Sequence, residues 1–329
     1  MQRPAEPLGV ALAGLGWWGK TIDALLAGSR KLRVVRRVDP AMREPGVTAT
    51  LDEALRDPAV QAVILCTPHT LHAAQIVQAA DAGKHVFCEK PLSLSRSDVL
   101  KAVQAVNARN LVLGVGHEKR FEPPIQELFR LVQSGALGKP LQIEANFSQD
   151  KFLALPADNW RLSAKEAPAG PMTATGIHLL DLSIGLMGPA AEVYARVRQL
   201  GSQLANGDTL GILVGFRSGG NALISAVLAT PFDGRFAVYG SKGWAEVRDK
   251  AHPESPRGWT LTVKLRDKDA EVSDYPVAQA VLANLEAFAD AACGGAPYPV
   301  PQHEMIANIS ALEAVFRSAQ SGGVEAVSG

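Results

Sequence analysis

The chain has 329 residues, with 33 Lys and Arg against 33 Asp and Glu, no net formal charge, 47% hydrophobic residues and 20% charged ones. This length fits two domains, and the composition excludes a disordered chain because there is enough apolar surface to offset the entropy of ordering. The balanced charge supplies no general field for a nucleic-acid backbone or an anionic membrane, so neither is expected as a partner.

The start of the chain, Met1 to Pro7, carries one Arg and two prolines, and glycines soon break the apolar run behind it. It resembles neither a secretory leader nor a spanning helix. Cys66, Cys88 and Cys293 are odd in number and lack metal-site spacing. They point to a reducing compartment and to no bound metal, and the expected location is the cytoplasm.

From residue 8 to 121 short apolar runs at 8–13, 32–38, 62–66, 85–88 and 111–115 alternate with helix-period stretches. Those stretches carry Ile22, Leu25 and Leu26, then Ile76, Val77 and Ala80, then Val99, Val103 and Val106 behind a capping box at Ser95 to Asp98. Such alternation predicts a doubly wound parallel sheet.

The first run leads into Gly14-Leu15-Gly16-Trp17-Trp18-Gly19 and then a helix. In that setting the first Gly permits a tight turn, the second lets a pyrophosphate approach the backbone, and the third allows close helix packing. Trp17 and Trp18 read as packing around this loop. Asp39 closes the second run, where a carboxylate can bind the adenosine ribose and repel a 2′-phosphate. This favours NAD, with NADP as the alternative because Arg37 and Arg43 flank it.

The third run ends in Cys66-Thr67-Pro68 and reaches His72 at a helix start, so Thr67 and Pro68 are expected beside the cofactor and His72 to make a structural hydrogen bond there. The fourth ends in Glu89-Lys90-Pro91. A Lys at a strand's carboxyl end can act as general acid/base if its pKa falls from about 10.4 toward ~7–8, or it can pair with Glu89 or a cofactor phosphate.

Beyond residue 138 the pattern changes to longer strands at 141–147, 193–199, 210–216, 222–228, 236–239 and 260–265, joined by Gly-rich turns. They predict an open, mostly antiparallel sheet, with helices following at 277–292 and 304–320 and a mobile tail at 321–329. Between the first two strands, Gly170 to Asp181 enters a helix on which His178 and Asp181 share a face.

Together, Gly14-x-Gly16-x-x-Gly19, Thr67-Pro68-x-x-x-His72, Glu89-Lys90-Pro91 and Gly176-Ile177-His178-x-x-Asp181 resemble the Gfo/Idh/MocA oxidoreductases. So do the phrases around Leu131 to Pro140 and Tyr239 to Gly243. The resemblance implies an α/β chain: an N-terminal Rossmann domain over residues 1–121, and an α+β domain over 122–329 for substrate binding and oligomer contacts. Helix 304–320 is expected to pack back toward the first domain, and the sheet of the second to form a homodimer or homotetramer.

The resemblance further implies NAD(P) at the glycine loop, Asp39, Thr67, Pro68, His72 and Glu89, with Lys90 and His178 catalytic. The implied reaction is hydride transfer to or from a cyclic polyol, sugar or dihydrodiol. Lys119, Arg120 and Arg161 are expected to line the substrate site and hold an anionic group, with Thr175 and Asp181 nearby. One departure is Ala174, where the family often has Asp four residues before the motif His. It leaves His178 to work through Asp181 or a neighbouring Thr, and motivates a rival reading of redox-neutral elimination or hydrolysis by tightly held NAD. A non-catalytic dinucleotide sensor is a third reading.

Overall fold

The structure, a computed structural model, describes residues 6–329; residues 1–5, part of the stretch read above for a leader, lie outside the described residues. The chain forms two compact units. One takes the chain up to Glu118 and again Val281–Ile306; the other takes Lys119–Ala280 and Ala307–Gly329.

The first unit is built on strands β1 (Leu8–Ala13), β2 (Leu32–Val38), β3 (Val47–Thr48), β4 (Ala62–Leu65), β5 (His85–Cys88) and β6 (Leu113–Val115). They form one parallel sheet in the order β3-β2-β1-β4-β5-β6. Helices α1 (Trp17–Leu26), α2 (Leu51–Leu55), α3 (His72–Asp81) and α4 (Arg96–Asn107) connect them. β1 and β4 are buried at every residue, which explains their unbroken apolar sequences: helices cover both faces of a parallel sheet. The predicted cap of α4 forms, Ser95 Oγ accepting the Asp98 N–H at 3.3 Å. The strand order reverses between β1 and β4, so their carboxyl ends diverge there into a crevice.

The second unit begins with α5 (Pro123–Gln133), an amphipathic helix with prolines in its first turn, and includes α6 (Ile177–Met187). Its sheet joins β7 (Pro140–Ser148), β8 (Ala190–Arg198), β9 (Thr209–Phe216), β10 (Asn221–Val227), β11 (Asp233–Gly240), β12 (Gly243–Asp249), β13 (Trp259–Leu265), β14 (Glu271–Tyr275) and β15 (Val324–Ala326). The order is β14-β13-β12-β11-β7-β10-β9-β8-β15. Only β10 and β7 run parallel; every other neighbouring pair is antiparallel.

Burial alternates along β9 and β10, with Ile212, Val214, Ala222 and Ile224 inside. Leu213 and Leu223 are cross-strand partners on the other face, each 45% exposed. The tail read as mobile instead contributes an edge strand: β15 pairs with β8, and the Val327 N–H donates to the Ala191 carbonyl at 2.8 Å. Backbone pairing made this strand, with little apolar patterning to announce it. Among the described residues no helix is long and apolar enough to cross a membrane.

The last two helices are α7 (Ala280–Ala292) and α8 (Gln302–Ser321). α7 completes the core of the first unit: Phe288 meets Phe87 edge-on, with ring centroids 5.6 Å apart and both rings buried. Gly114 makes room for them, since a Cβ there would stand 2.7 Å from the Phe87 ring and 2.9 Å from that of Phe288. Asn284 Nδ2 and the Tyr298 hydroxyl both donate to the Val115 carbonyl at 2.9 Å. Residues far along the chain therefore complete the N-terminal fold. Phe288→Ala should cost the first unit about 3–5 kcal/mol, measured as the shift in its urea unfolding midpoint; an unchanged midpoint would show that α7 contributes little to that core.

Candidate active site

At the mouth between β1 and β4, the three glycines have different surroundings. Gly14 has φ +89°, and a Cβ on it would lie 2.6 Å from the Cys66 carbonyl oxygen at the end of β4. A Cβ on Gly19 would overlap the Gly14 carbonyl oxygen. Gly16, the N-cap of α1, has open space where its Cβ would be. Two glycines thus close the turn and seat the helix, while the third leaves room for a bound group beside uncapped N–H groups. This fits a dinucleotide pyrophosphate.

Asp39 stands next to this loop: its Oδ2 accepts the Leu15 N–H at 2.8 Å and its Oδ1 the Ala41 N–H at 2.9 Å. Arg37 is turned to Asp23, with two of its nitrogens on that carboxylate at 2.8–3.1 Å. Arg43 donates to the carbonyls of Pro40 and Met42. Trp17 is 49% exposed, and its ring centroid lies 5.6 Å from that of Trp18.

At the end of β4, the Thr67 hydroxyl donates to Gln75 Oε1. His72 is fully buried and ties two turns together, Nε2 standing 2.8 Å from the Thr67 carbonyl and Nδ1 2.7 Å from that of Pro91. Burial pushes its pKa down, and the nearby Lys90 charge adds to that. The neutral ring has one N–H and donates it to one of these two carbonyls, while its body packs between the Thr67-Pro68 turn and the Lys90-Pro91 turn, where the sequence suggests a structural bond.

Glu89 follows β5 and is buried, its carboxyl group packed on Gly116, where a Cβ would come within 2.7 Å of its oxygens. Burial, and next the neighbouring Glu118 carboxylate, push its pKa up to about 7, against opposing contributions from Trp18 and Lys90. The Lys90 N–H donates to Glu89 Oε2 at 3.3 Å. A carboxyl group that changes charge near neutrality thus borders Lys90. The sequence points to Glu89, Lys90 and the stretch His117 to Phe121 that contains Glu118, but not to Gly116 or to the effect of Glu118 on Glu89; the signal for both is position, since they follow β6, the strand beside β5.

In the second unit, Lys119 is 4% exposed, with Nζ 3.2 Å from Glu122 and 3.1 Å from Asp249. The Trp259 indole N–H donates to the same Asp249 at 2.9 Å. Arg120 forms a two-pronged pair with Asp181, 2.6 and 3.0 Å, and donates also to its carbonyl. Gly185 permits this approach, since a Cβ there would meet the guanidinium at 2.5 Å. Arg161 lies over the Trp160 ring, 4.3 Å from its centroid.

His178 is buried in the first turn of α6, just after a π-type turn over Met172–Gly176. In that turn the Thr173 and Thr175 hydroxyls donate to the carbonyls of Gly170 and Pro171. The Phe147 ring lies 6.3 Å from that of His178. The cofactor candidates and Lys90 therefore gather at the carboxyl ends of one sheet in the first unit. His178, Thr175, Asp181, Arg120, Lys119 and Arg161 belong to the second.

Comparison with known proteins divides the chain the same way. Residues 8–117 match the model described as an oxidoreductase family with an NAD-binding Rossmann fold, and residues 125–246 match the GFO/IDH/MocA C-terminal domain. The oxidoreductase YrbE of Bacillus subtilis is 30% identical over 216 residues, which are 64% of this chain and 61% of that protein. Myo-inositol 2-dehydrogenase of Thermotoga maritima is 31% identical over 191 residues, 56% of this chain and 55% of its own. The matched stretch thus spans little more than half of these curated relatives. The aldose-aldose oxidoreductase of Caulobacter crescentus, solved with glycerol, shares the fold with a TM-score of 0.84 at 24% identity, over 97% of this chain and 99% of its own.

Because Glu89 holds its proton to about pH 7 in the fold against an ordinary value of 4.5, the folded state binds more protons than the unfolded one between those limits. The burial cost of its charge therefore grows as pH rises through that window and is complete above it. Glu89→Gln lacks the charge. Its melting temperature should match that of the wild type near pH 4.5 and exceed it increasingly up to about pH 8; a constant difference across that range would show that Glu89 ionises normally.

Proposed function

Because this chain belongs to the GFO/IDH/MocA family, we propose that it is an NAD(P)-dependent oxidoreductase acting on a hydroxyl or ketone of a small cyclic polyol, sugar or dihydrodiol. The observation that carries this reading is the glycine loop. Gly14 and Gly19 are closed by backbone while Gly16 stands open at the crevice beside β4, one strand from Lys90. When bound, the nicotinamide supplies the redox chemistry, taking or returning hydride at C4.

The chain's own groups supply position and proton transfer. Lys90 Nζ takes the proton of the reacting hydroxyl or returns it to the ketone, and His178 is the second catalytic candidate, an imidazole able to exchange a proton. The buried His72 ring, packed against the Pro91 carbonyl, supports the turn that carries Lys90. The name of the Thermotoga relative supports a cyclic polyol as substrate class.

NAD is favoured over NADP. The Asp39 carboxylate is anchored at the loop, and Arg37, the nearer cation in sequence, is engaged by Asp23. Exposed Leu213 and Leu223 on the open face of the second sheet support a homodimer or homotetramer formed there. Ala174 favours a second reading, in which retained NAD oxidises the substrate transiently and elimination or hydrolysis precedes return of the hydride. Accumulation of NADH during turnover argues against it.

Lys90→Ala should leave the NAD dissociation constant within about twofold of wild type and lower kcat by ~10²-fold or more; undiminished turnover would remove Lys90 from the mechanism. Asp39→Ala should weaken NAD and strengthen NADP, narrowing a wild-type preference for NAD. A wild-type preference for NADP would overturn the role given to Asp39.

A further inference from the structure

Gln149 follows β7, two residues after Phe147, and is 6% exposed. Its Oε1 lies 2.6 Å from Nε2 of His252, in the loop after β12. Nδ1 of the same ring accepts the Glu254 N–H at 3.2 Å. A ring nitrogen that accepts has no proton, so the neutral imidazole carries its hydrogen on Nε2 and must donate it to an oxygen. That fixes the Gln149 amide with Oε1 toward His252 and the NH2 group turned away. Among the described residues, no hydrogen bond is made by that NH2.

This oriented donor belongs to the cluster that holds His178. The Phe147 ring lies 6.3 Å from that of His178 and 6.1 Å from that of His252, and Phe232 packs on both Phe147 and His252. The nearby cations have anionic partners: Lys119 faces Glu122 and Asp249, and Lys151 faces Glu254. A neutral oxygen fits this charge balance better than a carboxylate.

We propose that Gln149, oriented by His252, is a specificity-determining residue that donates from Nε2 to a hydroxyl or keto oxygen of a neutral sugar or polyol whose reacting carbon stands at His178. The assignment rests on the oxidoreductase reading above. Gln149 touches the substrate; His252 is a positioning residue, setting which face of the amide is offered.

The test uses the full chain with NAD and NADP against a panel of neutral inositols, sugars and dihydrodiols and their acidic counterparts. Gln149→Ala should raise KM for the best neutral substrate by about tenfold with a smaller change in kcat and none in NAD affinity. His252→Phe preserves the ring packing and should raise KM in the same direction. The double variant should be no worse than Gln149→Ala, because His252 acts through the amide. Gln149→Glu, close in shape, serves if the Ala variant melts early; its carboxylate should raise KM further. Wild-type KM in Gln149→Ala or Gln149→Glu would overturn the proposal, as would additive losses in the double variant or a wild-type preference for the acidic substrates. If the wild-type chain turns over no member of the panel, the oxidoreductase reading fails and this assignment with it.

Discussion

Gly19 cannot carry a side chain without driving α1 off the Gly14 carbonyl, and Gly14 cannot carry one without driving the turn off the end of β4. This double close approach welds the start of the first helix to the two central strands. The strands themselves are buried throughout, so their ends cannot relax to accommodate a bulkier residue. What remains open is Gly16, at the start of α1. The site is therefore a by-product of tight packing on either side of it, and Asp39, bonded to the Leu15 N–H, fixes the loop's outer edge.

Buried ionisable groups are handled in two ways. Lys119 and Arg120 face carboxylates at close range, and the geometry of the Arg120–Asp181 pair depends on the missing side chain of Gly185. Breaking one such pair leaves an uncompensated buried charge, so these contacts specify the local structure of the second unit more surely than they stabilise it. Glu89 is treated oppositely. Burial makes it reluctant to ionise, and Glu118 repels its charge. A residue that can hold a proton near neutrality thus sits beside the lysine assigned to proton transfer, a pattern more common at functional sites than elsewhere.

The sequence was most informative where function depends on contiguous residues. Gly14, Gly16 and Gly19 act through spacing within one turn, and the strand before them and helix after them are both evident from apolar periodicity. Lys90 was likewise legible, because strand ends are predictable in an alternating α/β pattern. The Lys119–Asp249 pair was not, because the two residues stand 130 positions apart and meet only where the segment entering α5 packs on β12. The raised pKa of Glu89 depends on Glu118 beyond the next strand, and the tautomer of His252 on a loop far from Gln149. β15 escaped notice because a short edge strand needs only backbone pairing, with no buried face to impose alternation.

Under the proposed function, hydride passes directly between a ring carbon and a nicotinamide held at the Gly14–Gly19 loop. Isotopic labelling tests this transfer. The full chain is incubated with NAD and panel substrates deuterated at their carbinol carbons, and the nucleotide is recovered for mass spectrometry and NMR. Deuterium should appear at C4 of the reduced nicotinamide, matched one for one by ketone product. Product without deuterated NADH, or no labelled nucleotide from any member of the panel, would contradict it.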